Sequence, residues 1–259
     1  FTDPGRDAHL YENLPKTAQE LCETVQGLCL DFNERPNFPI QNERLLETNS
    51  RYADEMLDWL VWLDKKSPLE EFRPEDTRLM AAPNHFTSLF VSMARNAGIP
   101  ARQRVGFIAD GEDFANYSVA EVYEDGAWKQ IDVAGKGGEF ISAAQAFADC
   151  RAEKVCGCKF VNTDSRGVEV LIANLMLDLA ALLKCEMNTW DKYGWMCRPV
   201  ADYSRKTWEI LDCVADTIIK DDKNIDALEA VYKSEEGLQI PETVWCDTPL
   251  VPPHKVVLR

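Results

Sequence analysis

A chain of 259 residues suffices for one large domain, and its 46% hydrophobic and 28% charged residues are those of an ordinary globular protein. Asp and Glu total 44 against 28 Lys and Arg, a formal net charge of -16. That balance repels phosphate backbones and anionic membranes, so nucleic acid and membrane surfaces are excluded as expected partners.

The elements follow in chain order. Residues 14–63 read as helical, with Leu21, Val25, Leu28 and Leu30 in one segment and an apolar-rich run after Tyr52. A Pro- and charge-rich connector, 65–78, comes next. Phe86, Leu89, Phe90, Met93, Ala94 and Ala97 then recur at three- and four-residue spacing, one face of an amphipathic helix. Asn84 is its expected N-cap, and Gly98 and Pro100 close it. Strands are predicted over 103–108, 117–123 and 128–133, the last two joined by an Asp125-Gly126 hairpin turn. With that turn, Tyr123 pairs with Trp128 and Val119 with Asp132. One face then carries Tyr117, Val119, Glu121, Tyr123, Trp128, Gln130 and Asp132, and the other is core-like. Tyr117 and Asp132 become diagonal neighbours.

The final region is predicted helical: a buried helix over 171–183 and helices over 203–219 and 225–232, before a Pro-rich tail. The apolar run 168–183 is broken by Glu169, Asn174 and Asp178, too short and polar to span a bilayer. Asp178 needs a partner, since an unpaired buried carboxylate costs several kcal/mol. An α+β fold is expected, a single domain over 1–259. Within it, residues 1–80 should be helical, 81–135 a helix-plus-sheet core, and 136–259 mainly helical.

Of nine cysteines, Cys22 and Cys29 lie seven apart on a helix and Cys185 ends the apolar one. Most are expected to be reduced, buried thiols of a cytoplasmic protein. The exception is Cys156-Gly157-Cys158, with Cys150 nearby. No second close ligand pair accompanies it, so no metal and no cofactor are expected.

The segment Pro83-Asn84-His85-Phe86 through Met93 to Gly98-Ile99-Pro100-Ala101-Arg102, then Val105-Gly106-Phe107, resembles the core of transglutaminase-like proteins. Glu121-Val122-Tyr123 and Trp128 to Asp132 extend the match. More narrowly, the chain is similar to bacterial transglutaminase-like proteins of unassigned function. Further matching stretches are Thr2-Asp3-Pro4-Gly5-Arg6, Val25-Gln26-Gly27-Leu28, Glu55-Met56-Leu57-Asp58, Asn174-Leu175 with Asp178-Leu179-Ala180-Ala181-Leu182, and Trp190-Asp191. The resemblance implies a papain-like core in which a Cys opens a helix, a His acts as base and an Asp orients it. Here Pro83 stands at the Cys position and Tyr117 at the His position, and Asp132 alone remains. Without thiolate and imidazole the family's thioester chemistry is lost.

The expected catalytic residues are therefore Tyr117, Asp132 and His85, with Asn84, Arg104, Glu121 and Gln130 binding substrate. All but Asn84 carry a structural reading as well: Tyr117 as an aromatic plug, Asp132 as a strand cap, His85 as inherited scaffold, Arg104 as a salt-bridge partner, and Glu121 and Gln130 as solvated. The leading function is acid/base chemistry on a small metabolite (isomerisation, elimination, cyclisation or addition) by a repurposed enzyme. The alternative is a catalytically inactive binder of a ligand or protein. A third reading moves cysteine chemistry to another thiol such as Cys158.

Overall fold

Thr17 Oγ1 accepts the Glu20 N–H and opens α1, Ala18–Leu28, which passes without a loop into β1, Cys29–Asp31. Glu55 reaches back to the Arg51 N–H at 2.9 Å and fixes the start of α2, Ala53–Leu63. Beyond the connector, β2, Leu79–Ala81, pairs parallel with β1 in the register Cys29↔Leu79 and Asp31↔Ala81. One residue later α3, Pro83–Asn96, begins. The remaining strands of the central region are β3, Ala101–Asp110, β4, Asp113–Glu124, and β5, Ala127–Ile131.

The computed structural model describes residues 1–163, 165–248 and 251–259. They form two compact units: Phe1–Gln103 with Ser118–Gly137, and Arg104–Tyr117 with Gly138–Arg259. In the first unit α1, α2 and α3 share a core of Leu21, Val25, Leu57, Leu60, Phe90 and Ala94, completed by Ala120, Val122 and Val133 from the hairpin. Each such Leu or Phe contributes about 1.5–3 kcal/mol by leaving water. The hairpin pairs Glu124↔Ala127, Tyr123↔Trp128 and Glu121↔Gln130, the predicted register.

The second unit holds β6, Phe140–Ser142, which pairs antiparallel with β3 from Gly106↔Ser142 to Ile108↔Phe140. Ser142 then caps α4, Ala143–Arg151. β7, Phe160–Val161, adds to β4 in parallel. The sheet order is β5-β4-β3-β6, with β7 on β4. α5, Val168–Leu182, is buried nearly all round, as its composition requires. β8, Asp191–Lys192, α6, Arg205–Asp221, α7, Ile225–Ser234, β9, Thr243–Cys246, and β10, His254–Val257, follow. No helix among the described residues is long and apolar enough to cross a membrane.

The mixed helix-and-sheet fold agrees with the sequence, and several details do not. The stretch 14–63 is not continuously helical, because extended Cys29 and Ser50 interrupt it. The C-terminal region contains a three-stranded sheet of order β10-β9-β8. Asn84 is not the N-cap of α3: Ala82 is, and Asn84 lies in the first turn. α3 is buried on its polar side as well as its apolar one. Ser88 donates to Gln103 Oε1 at 2.9 Å, and Thr87 donates to Pro83 O at 2.9 Å. β5 ends at Ile131, so the expected Val119–Asp132 pair is not made. Tyr117 and Val119 on the supposedly polar face are buried.

Candidate functional site

The start of α3 is built around a histidine. Pro83 at the first helical position has no N–H to lose and a φ suited to the helix. His85 Nδ1 accepts the Ala82 N–H at 3.0 Å, so the ring proton sits on Nε2. That nitrogen faces the carbonyls of Thr48 at 3.0 Å and Ser50 at 3.1 Å. Burial is the main cause that pulls the His85 pKa down, to about 4, against the three hydrogen bonds that hold it up. The imidazole is thus neutral at pH 7 with both nitrogens engaged. The bed it rests on is itself tied down: Glu47, fully buried, accepts the Met80 N–H at 2.7 Å and is bound by Arg44.

Asn84 differs from its neighbours. It is 5% exposed, and its Oδ1 has no hydrogen-bond partner among the described residues. An acceptor left in that condition costs about 1–3 kcal/mol.

Asp132 follows β5 and holds the loop after it. Its Oδ1 accepts the Gly135 N–H at 3.0 Å and its Oδ2 the Gly137 N–H at 2.7 Å. Both glycines have left-handed φ, +70° and +71°, which a side chain would resist. Lys136 pairs with Asp31 at 2.7 Å, and Gln26 donates to Val133 O at 3.2 Å. The buried Cys22 thiol is pushed up to about 11, first by desolvation and then by the Asp132 charge. It is protonated at neutral pH and is no nucleophile. Glu121 accepts from Arg102 Nε at 2.6 Å, and that guanidinium stacks 4.3 Å over Trp128. Gln130 is exposed opposite Glu121. In the first unit, then, Glu121 and Gln130 come together as predicted, while His85 and Asp132 serve separate local networks.

Arg104 and Tyr117 belong to the second unit. Arg104 Nε and Nη2 grip both oxygens of Asp178 at 3.0 and 2.9 Å, and Nη1 meets Asp222 at 2.7 Å. Asp178 also accepts the Val105 N–H at 2.8 Å. The carboxylate that needed a partner has this one, and Arg104 is neutralised by two acids. Asn174 does not bond Asp178; it donates to Gly106 O at 3.0 Å. Tyr117 is 2% exposed. Its neighbour Asn116 donates to Thr189 at 2.7 Å.

Sequence reasoning missed the Arg44–Glu47 anchor and the loop role of Asp132. The signal for the second was present: an Asp three and five residues before glycines is the pattern of a side chain that caps a turn. No group of His, Cys, Asp and Glu among the described residues is arranged to hold a metal ion. Compared with known proteins, residues 65–133 match the family described as the transglutaminase-like superfamily. No curated protein and no solved structure matches the chain.

Proposed function

We propose that this chain, which carries a transglutaminase-like superfamily domain over residues 65–133, binds a small molecule through that domain without turning it over. The observation that carries the reading is the buried, partnerless Oδ1 of Asn84 at the head of α3, beside a histidine whose nitrogens are both used. A buried acceptor with no protein donor is stabilised by a ligand N–H or O–H. The groups that acid/base chemistry would draw on have other work. His85 braces a helix start, Asp132 accepts loop N–H groups, and Arg104 is bound by two acids. Pro83, at the position where the resembled family has its Cys, offers no nucleophile.

Asn84→Leu tests this. The variant removes the orphaned acceptor and keeps the branched shape of the side chain, so the free protein should be as stable as the wild type or more so by about 1–3 kcal/mol. Small molecules that copurify with the wild type, seen by native mass spectrometry, or that raise its melting temperature should fail to do so with the variant. A destabilised Asn84→Leu protein with unchanged ligands would overturn the reading. So would turnover of any metabolite that falls by about 10²–10⁴ in Tyr117→Phe or Asp132→Asn, the range for a lost acid or base.

A further inference from the structure

Three cysteines meet at one corner of the second unit. Cys156 and Cys158 are joined as a disulfide across a single glycine, and both are exposed. Cys150, in the last turn of α4, is a free thiol. Gly157 brings them together: its N–H donates to Cys150 Sγ, and a Cβ there would lie 3.3 Å from that sulfur and 2.7 Å from Val168 Cγ2. Only glycine fits this close approach. Arg166 donates to the Cys158 carbonyl at 2.9 Å and holds the loop in place, its own charge paired with Asp113 at 2.6 Å. Of the other free cysteines, Cys22, Cys29 and Cys246 are buried, while Cys185, Cys197 and Cys213 lie outside this loop and helix.

We propose that Cys150, Cys156 and Cys158 form a thiol–disulfide exchange site that oxidises low-molecular-weight thiols, with Cys150 placed to resolve a mixed disulfide on Cys158 when Cys156 is absent. An incoming thiolate attacks Cys158 Sγ. The Cys156–Cys158 bond breaks, its electron pair leaves on Cys156 as a thiolate that takes a proton from water, and Cys158 carries a mixed disulfide. A second thiolate, supplied by another thiol molecule, attacks the outer sulfur of that mixed disulfide and releases Cys158 as a thiolate. In sum two thiols become one disulfide, and the Cys156–Cys158 disulfide becomes two thiols. When Cys156 is absent, Cys150 takes the resolving step: its thiolate attacks Cys158 Sγ, forms the Cys150–Cys158 bond and expels the small thiol. Burial raises the Cys150 pKa, so this step should quicken as pH rises above neutral.

Glutathione serves as the probe. Excess reduced glutathione should raise the accessible thiol count of the folded wild type by two per chain, and glutathione disulfide should reverse the gain. The Cys156→Ser variant, prereduced and treated with glutathione disulfide, should end with a Cys150–Cys158 cross-linked peptide and no stable adduct. The Cys150→Ser/Cys156→Ser variant should keep glutathione on Cys158. Circular dichroism identical to wild type establishes that each variant is folded. A thiol count that does not change, or equal adduct retention by the single and double variants, overturns the proposal.

Discussion

His85 shows how a residue suited to chemistry is held to a structural task. In the folded chain its pKa lies near 4, against 6.5 for a free imidazole. Between those values the unfolded chain takes up a proton that the folded chain refuses. The contribution to stability is therefore complete above about pH 6.5, falls as pH drops, and is gone near pH 4; in free energy it amounts to about 3 kcal/mol. His85→Ala should be less stable than wild type at pH 7. The difference between the two stability–pH curves, measured by urea denaturation, should close as pH falls from 6.5 to 4. Parallel curves would mean that the imidazole titrates in the fold as it does in the unfolded chain. The identity of His85 as a candidate was plain in the sequence, but its role was not. The carbonyls that hold Nε2 come from Thr48 and Ser50, more than thirty positions away, and no local pattern announces them.

At the scale of elements, periodicity located α3, α5 and the β4–β5 hairpin because each satisfies its backbone within a short stretch. The same reading failed for β1, β2 and the C-terminal strands, which are two to four residues long and gain their hydrogen bonds only from distant partners. It also took α3 for an amphipathic helix, since Thr87, Ser88 and Ser92 look solvated until Pro83, Gln103 and Tyr11 are seen to receive or share their hydroxyls. The β3–α5 junction is where one substitution should matter most. Asp178→Ala leaves Arg104 inside without its bidentate partner and the Val105 N–H without an acceptor. A loss of about 3–5 kcal/mol is expected, read from the urea midpoint. Gly106→Ala should also fail, because its Cβ would lie 2.2 Å from the Ile141 carbonyl across the β3–β6 pair. The measurable outcome is loss of hydrogen-exchange protection at Ile108 and Ser142.

At the scale of the molecule, each unit is assembled from two separated stretches of chain. The first unit takes Ala120, Val122 and Val133 into its core from beyond an intervening segment of the second. A fragment ending at Gln103 therefore lacks one wall of that core. It should bind a hydrophobic dye and show no near-ultraviolet dichroism, whereas a fragment with native dichroism would show that α1, α2 and α3 suffice.

The Arg104–Asp178 pair closes over 74 positions of sequence. During synthesis Arg104 leaves the ribosome first, and at about 5–20 residues per second its carboxylate follows about 4–15 s later. For that interval the far half of β3 is a nascent strand whose apolar residues, Val105, Phe107 and Ile108, lack the α5 carboxylate, and for about the first half of it they lack β6 as well. Translation speed through 104–178, and the holdase capacity of the host cell, should therefore set the yield of soluble protein more than the final stability does.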